Sequence, residues 1–303
     1  MRRALQLARN GEGRVSPNPM VGAVIIHGTR IIGEGFHANY GGKHAEVNAI
    51  ESVRPEDRHL LKDSQMYVTL EPCSHYGKTP PCANLLVKTG IPQVVIGTLD
   101  PNKLVAGRGV KILRDAGIEV SVGVLEKECQ ELNKRFMKAH SSDRPWIILK
   151  WAQSADGYIA AIGEDGLPQG VKFSTPVSSI WMHRERANVD AILVGENTEK
   201  LDNPQLTVRL WGGNSPRKYV ATGRIDCKKF VEDLRKDGVT SLMVEGGAGI
   251  LHSFINEGLY DEIRIETSPI KLCSGLKAPS IPDNMELATL EVTGDNIIEI
   301  FRR

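Results

Sequence analysis

The chain has 303 residues and a mass of 33.3 kDa, room for two domains at roughly 100–200 residues each. Its 41% apolar and 25% charged residues are those of a folded globular protein, which excludes a disordered, collagenous or coiled-coil chain. Lys plus Arg number 38 against 37 Asp plus Glu, and a net charge of +1 gives no broad attraction to nucleic acid or to an anionic membrane.

From the N-terminus, Arg2 to Asn10 has the spacing of a short amphipathic helix. Val21–Ile26 and Ile31–Phe36 are apolar runs around His27-Gly28-Thr29-Arg30, the pattern of a hairpin. His44–Val53 has helical spacing at Ala45, Ala49, Ile50 and Val53. Met66–Leu70 reads as a strand, and Cys82–Thr89 as a helix stopped by Gly90. Val94–Thr98 follows as a strand, Val110–Ala116 as a helix, Glu119–Val124 as a strand and Leu125–Ala139 as a closing helix. The polar segment His140-Ser141-Ser142-Asp143-Arg144-Pro145 is the linker candidate.

Beyond it the alternation restarts. Strands are expected at Trp146–Trp151, Ala191–Gly195, Lys218–Ala221, Ser241–Glu245, Glu262–Thr267 and Ile297–Phe301. Helices are expected at Pro176–Ala187, Lys228–Lys236 and Ile250–Glu257. Strands alternating with helices in both halves predict two α/β domains, 1–140 and 145–303. No apolar run approaches the roughly 18–20 residues that cross a bilayer. The charged start of the chain lacks the apolar core of a secretory signal, so the expected compartment is the cytoplasm. Five cysteines are too few for a disulfide scaffold, and clustered ones read as metal ligands or nucleophiles.

Three fragments carry chemistry: His44-Ala45-Glu46, Pro72-Cys73 and Pro80-Pro81-Cys82. One imidazole and two thiolates suit zinc, and a three-residue donor set is that of a catalytic site. Glu46, two residues beyond His44, can approach the open position without being a ligand and move protons there. Both cysteines follow a proline, a residue favoured in a first helical turn, where the positive helix end favours a thiolate. The H-x-E…P-C-x-x-C signature of zinc deaminases matches in its first two parts; here eight residues separate Cys73 from Cys82, where that signature has two. Cys129, Cys227 and Cys273 read as structural, and His27, His59 and His252 as bystanders.

Asn18-Pro19-Met20-Val21-Gly22, His44-Ala45-Glu46, the run from Glu71 to Cys82 and Asp100-Pro101-Asn102 resemble the bifunctional riboflavin-biosynthesis deaminase–reductase family. The resemblance implies a cytidine-deaminase-like zinc domain followed by a dihydrofolate-reductase-like domain. It implies zinc on His44, Cys73 and Cys82, with Glu46 as proton shuttle. It places Asn18, His75 and Lys78 against a pyrimidine ribosyl phosphate, with Lys78 suited to the phosphate as a mobile ammonium.

In the second half no G-x-G-x-x-G follows a strand, so a Rossmann site is not indicated. Ser241–Gly249 instead reads as strand, glycine-rich turn and helix start, a form that can hold a phosphate or serve tight packing alone. KWAQSADG from Lys150, DAILVG from Asp190, the run from Asp202 to Arg209 and Val244-Glu245-Gly246-Gly247 resemble the family's reductase domain. This implies NADPH against Gln153, Thr198, Asp202, Gly247, Ala248, Gly249 and Ile250. It implies substrate contacts at Arg186, Leu206, Arg209 and Glu245, the arginines being apt for phosphate.

The second half is shorter than that family's reductase domain, around Gly166–Lys172 and Gly212–Arg217. The expected function is zinc-dependent deamination of a diaminopyrimidine ribosyl phosphate, then NADPH-dependent reduction of its ribosyl group to ribityl. The expected partner is that small molecule, with no nucleic acid and no membrane, in a homo-oligomer. A deaminase with an inactive second domain, a nucleic-acid base deaminase and a zinc-stabilised binding protein remain as rivals.

Overall fold

A computed structural model describes residues 1–75, 80–102 and 106–303. The chain forms two compact units, Met1–Ser142 and Asp143–Arg303.

The first unit opens with α1 (Arg2–Ala8), which ends in a 3-10 turn rather than running helical to Asn10. The hairpin forms from β1 (Gly22–His27) and β2 (Arg30–Phe36). Then come α2 (Ala45–Glu51), β3 (Gln65–Leu70), α3 (Cys82–Thr89), β4 (Gln93–Thr98), α4 (Arg108–Asp115) and β5 (Glu119–Val122). The sheet order is β2-β1-β3-β4-β5. The hairpin is antiparallel to β3, while β3, β4 and β5 are parallel. Ala23, Ile25, Met66, Val68, Val94 and Ile96 meet Ala45, Ala49, Ala83, Leu86 and Leu113 of the helices in one core.

One close approach sets the position of α2. A Cβ on Gly35 would lie 2.5 Å from the Ala45 carbonyl oxygen and 2.7 Å from the Asn48 carbonyl carbon. Only glycine therefore lets the backbone of α2 rest on β2, and this seats His44 and Glu46 above the sheet edge.

The expected closing helix is two helices, α5 (Glu126–Leu132) and α6 (Lys134–Ser141). The break falls at Asn133, buried with φ −114°. Its amide accepts from Met20 N–H at 2.8 Å and donates to Met20 C=O at 2.9 Å, pairing with that backbone as a strand would. Helical spacing alone does not show such a side chain turning back on a distant loop. α6 also runs through His140 and Ser141, into the segment that the sequence reads as linker.

The second unit is built on a seven-stranded sheet. Its strands are β6 (Trp146–Gln153), β9 (Ala191–Gly195), β10 (Arg217–Ala221), β11 (Ser241–Glu245), β12 (Glu262–Thr267), β14 (Glu286–Thr293) and β15 (Asn296–Arg302). The order is β10-β9-β11-β6-β12-β15-β14, the first five mutually parallel and β15 antiparallel to both its neighbours, β12 and β14. A small sheet joins β13 (Leu276–Lys277), β7 (Tyr158–Ile162) and β8 (Pro168–Gly170). The helices are α7 (Pro176–Ala187), α8 (Glu196–Asp202), α9 (Cys227–Lys236) and α10 (Ala248–Asn256). The sequence reading lacked β7, β8, β13, β14 and α8. β14 sits at a sheet edge with most of its side chains exposed, so it lacks the apolar run of a central strand.

Strand alternation divides this unit into two faces. Ile147, Leu149, Leu242, Val244, Ile263 and Ile265 pack under α9 and α10. Ile148, Ile192, Met243, Ile298 and Ile300 pack against Trp181 and Met182 of α7. Lys150, Glu245, Glu262, Arg264 and Glu266 fall on the α7 side by the same alternation. There the Arg264 guanidinium is held by Glu262 at 2.5 Å and by Glu185 of α7, and Arg302 closes on Glu262 at 2.9 Å.

Candidate functional site

In the first unit, the chain leaves β3 through Pro72-Cys73, and α3 begins at Cys82 with Pro81 as its N-cap. His44 is the N-cap of α2. These three places converge: His44 Nδ1 lies 3.5 Å from Cys73 Sγ and 3.3 Å from Cys82 Sγ, and all three donor atoms lie within 4.8 Å of one another. Tetrahedral zinc, with bonds of about 2.1 Å to nitrogen and about 2.3 Å to sulfur, holds such atoms about 3.6 Å apart. The donor set fits the metal in chemistry and in spacing.

The two cysteines are not equivalent. Only Cys82 stands in a first helical turn. Cys73 lies in the loop after β3, and the expectation that both are poised at helix starts is corrected. The α3 N-terminus acts on Cys73 instead, because Cys82 N–H donates to Cys73 Sγ at 3.2 Å. The Cys82 thiol, His44 and that N–H draw Cys73 down to about 4 against its burial. The hydrogen bond to Cys73, then burial, push Cys82 far up. A cation held here would need both thiols deprotonated.

Glu46 sits in the first turn of α2, only 3% exposed. Burial, then the negative Cys73, push its carboxyl up to about 7. Its carboxylate reaches the Cys82 thiol, so it borders the donor set without belonging to it. A divalent cation held by this donor set would pull this carboxyl back toward ionisation.

Asn18 lies in the loop before β1, and His37 directly follows β2. Asn18 Nδ2 is 3.1 Å from His37 Nε2, and the His37 ring meets the His44 ring edge-on at 5.5 Å. Asn18 is therefore one ring away from the donor set. His75, two residues beyond Cys73, is exposed, and Lys78 lies outside the described residues. Of the remaining cysteines, Cys129 and Cys227 are buried, whereas Cys273 is exposed in a loop with its N–H on Asp156.

The sequence reading missed the role of Glu71, although it stands in the quoted motif. Its buried carboxylate accepts four backbone N–H groups: Asp100 and Gly107 on one oxygen, Gly109 and Val110 on the other. It caps α4 and ties the Asp100 loop to the residue two before Cys73. Glu71→Gln turns an N–H donor against these donors. It is expected to cost about 2–3 kcal/mol, read as a lowered Tm and a frayed α4 in hydrogen exchange. A Tm equal to wild type would show that the carboxylate does not hold the loop.

In the second unit, the predicted residues gather at the carboxyl ends of the parallel strands, where α/β sheets take ligands. Gly246 and Gly247 link β11 to α10. Gly247 N–H donates to Thr198 Oγ1 of α8 at 3.1 Å, and a Cβ on Gly246 would lie 3.3 Å from that oxygen. The α10 N-terminus and the end of β9 thus form a cradle that side chains would fill, and Gly249 opens into free space. Ala248 and Gly249 are the first residues of α10, and Ile250 packs beside Gly195. Asp202 ends α8. Gln153 ends β6, where it bonds Thr267 Oγ1 at 3.3 Å. Glycines, free helix N–H groups and the helix end suit a pyrophosphate, so the chain fits a dinucleotide here.

Beside the cradle, Glu245 receives Arg186 Nη2 at 2.9 Å and Lys150 Nζ at 3.3 Å. Burial alone would raise Glu245; the two cations outweigh it and hold the carboxyl at about 2. Arg186 is therefore engaged with Glu245. Arg209 is exposed, bonding Gln205 and Thr207, and its N–H donates to His183 Nδ1 at 2.9 Å. Burial, then Arg186 and Arg209, lower His183, which places it among the two arginines. Leu206 turns its side chain into the core against α7, with φ 54°. Lys150, Glu266 and His183 were not singled out in the sequence. Strand alternation could have flagged Lys150 and Glu266 as polar residues on a buried face.

Residues 1–98 match the cytidine and deoxycytidylate deaminase zinc-binding region. Residues 145–227 and 217–298 match the RibD C-terminal domain in two pieces. The chain is 38% identical to the riboflavin biosynthesis protein RibD of Bacillus amyloliquefaciens over 93% of its length and 86% of the relative's. It is 34% identical to that of Aquifex aeolicus over 100% of its length and 97% of the relative's. The latter alignment runs over 354 positions, against the 303 residues here. A crystal structure from Thermotoga maritima superposes with TM-score 0.88 at 34% identity, covering 100% of this chain and 97% of the other. It is described as a diaminohydroxyphosphoribosylaminopyrimidine deaminase/5-amino-6-(5-phosphoribosylamino)uracil reductase. Acinetobacter baumannii RibD superposes equally, at 30% identity over 99% of this chain and 97% of the other. Among the described residues no helix is long and apolar enough to cross a membrane. The chain belongs to the RibD family of bifunctional riboflavin-biosynthesis deaminase–reductases.

Proposed function

We propose that the first unit deaminates a diaminopyrimidine ribosyl phosphate and that the second reduces its ribosyl group to ribityl with NADPH. The observation that carries the first step is the His44, Cys73 and Cys82 donor set with buried Glu46 against it. Zinc, when bound, acts as a Lewis acid that makes water nucleophilic at neutral pH. His44 Nδ1 and the two sulfurs hold it. Glu46 takes a proton and returns it to the departing amine. Asn18 meets the heterocycle, and His75 and Lys78 meet the ribosyl phosphate.

In the second unit, NADPH when bound supplies hydride. Gly247, Ala248, Gly249, Ile250, Thr198, Asp202 and Gln153 form its cradle. Glu245, fixed between Lys150 and Arg186, faces the sugar, and Arg186 and Arg209 line the substrate side; Leu206, expected there, is buried against α7 and is left out of the set. A second reading, deamination alone, draws on the compact second half: the RibD C-terminal match comes in two pieces that overlap at 217–227.

The test is mass spectrometry of products from the diaminopyrimidine ribotide, with and without NADPH. Deamination without NADPH and a gain of two hydrogens with it support both steps. Deamination alone selects the second reading. No reaction by zinc-loaded protein rejects the substrate.

A further inference from the structure

We propose that His37 is a positioning residue that fixes the amide orientation of Asn18, so that the deaminase site presents the Asn18 Oδ1 acceptor to the heterocycle. This rests on the reading of Asn18 as a substrate contact.

The hydrogen bonds determine the orientation in sequence. His37 Nδ1 lies 3.0 Å from the Lys43 carbonyl oxygen. A carbonyl only accepts, so Nδ1 carries the proton and donates. The ring's other nitrogen, Nε2, is then the acceptor of a neutral imidazole. Its partner at 3.1 Å is the Asn18 side chain, which must therefore offer its amide N–H and not its oxygen. One amide N–H is committed to His37. The Oδ1 oxygen has no hydrogen-bond partner among the described residues.

His37 is itself held. It is 3% exposed, its N–H donates to Val21 C=O at 2.9 Å, and its ring rests edge-on against His44. The Lys43 carbonyl that sets the tautomer also receives Asn48 Nδ2 at 3.4 Å, and the same amide bonds Phe36 C=O at 2.8 Å. The Asn18 loop is anchored through Met20 by Asn133. An amide free to flip would offer nitrogen or oxygen alike. Locked this way it offers one acceptor and one remaining N–H, the complement of an amino group beside a ring nitrogen, which is the edge of an aminopyrimidine.

The experiment is a double-mutant cycle on the zinc-loaded full chain, with the pyrimidine ribotide as substrate. His37→Phe is expected to raise the deaminase KM about tenfold, the factor of one neutral hydrogen bond of about 1.4 kcal/mol, with kcat little changed. In an Asn18→Ala background the same change is expected to raise KM no further, because His37 acts through Asn18. Multiplying effects overturn the positioning role alone. An Asn18→Ala enzyme with unchanged KM overturns the substrate contact and the positioning together. A readout independent of substrate is the imidazole nitrogen NMR spectrum of the full chain: a proton on Nδ1 of His37 is expected, and one on Nε2 overturns the proposal.

Discussion

Replacing Glu46 by Gln is expected to lower deamination about a thousandfold, within the range attributed to a positioned acid–base group, while zinc stays bound and reduction is unaffected. The substitution keeps the shape of the side chain. Glu46 is buried and already pushed toward its neutral form by burial and the adjacent Cys73, so a neutral amide fits the same pocket without a loss of stability. The amide can neither take nor return a proton. His44, Cys73 and Cys82 keep their mutual spacing, because His44 and Glu46 are set by the contact of α2 with Gly35. Metal content at wild-type level, an unchanged Tm and ammonia release slowed about a thousandfold form the expected set. Retained turnover would remove Glu46 from the mechanism.

The largest expected effect in the second unit follows Glu245→Gln. Lys150 and Arg186 both close on this carboxylate, with 7% and 12% of their side chains exposed. Removing its charge leaves two buried cations with one fewer anion. Breaking such a pair costs on the order of 3–5 kcal/mol. Reduction is expected to vanish and deamination to persist in the other unit.

Glu245 also gives a pH signature. Its folded value, about 2, lies below the ordinary 4.5. A depressed carboxyl stabilises the fold fully above its unfolded value, and that contribution is lost as pH falls from about 4.5 toward 2. The share at stake is on the order of 3 kcal/mol. Urea titrations between those pH values are expected to fall more steeply for the wild type than for Glu245→Gln. Parallel slopes would show that the ion cluster does not set the carboxyl.

The metal donors were legible because their chemistry is carried by residue type: a His, a Glu two residues on, and two cysteines after prolines. The hairpin and most parallel strands were legible because central strands are continuous apolar runs bounded by turn residues. β14 was not, since an edge strand exposed on one side needs no such run. α5 and α6 merged into one expected helix because nothing local marks Asn133 as a partner for Met20, more than a hundred positions away.

Composition, local periodicity and a handful of chemically distinctive side chains determined the two α/β halves, the His44, Cys73 and Cys82 cluster and the glycine turn after β11. These features need only near neighbours along the chain or the residue's own reactivity. Tertiary structure decided that the two cysteines differ in setting, because the Cys82 N–H at the start of α3 points at Cys73 Sγ. It decided that Lys150 meets Glu245, because strand alternation turns both beneath α7. It decided the tautomer of His37, because Lys43 C=O and Asn18 arrive from separate loops. In each case a proton or a charge is placed by groups far apart in sequence, and only the packed fold brings their fields to one point.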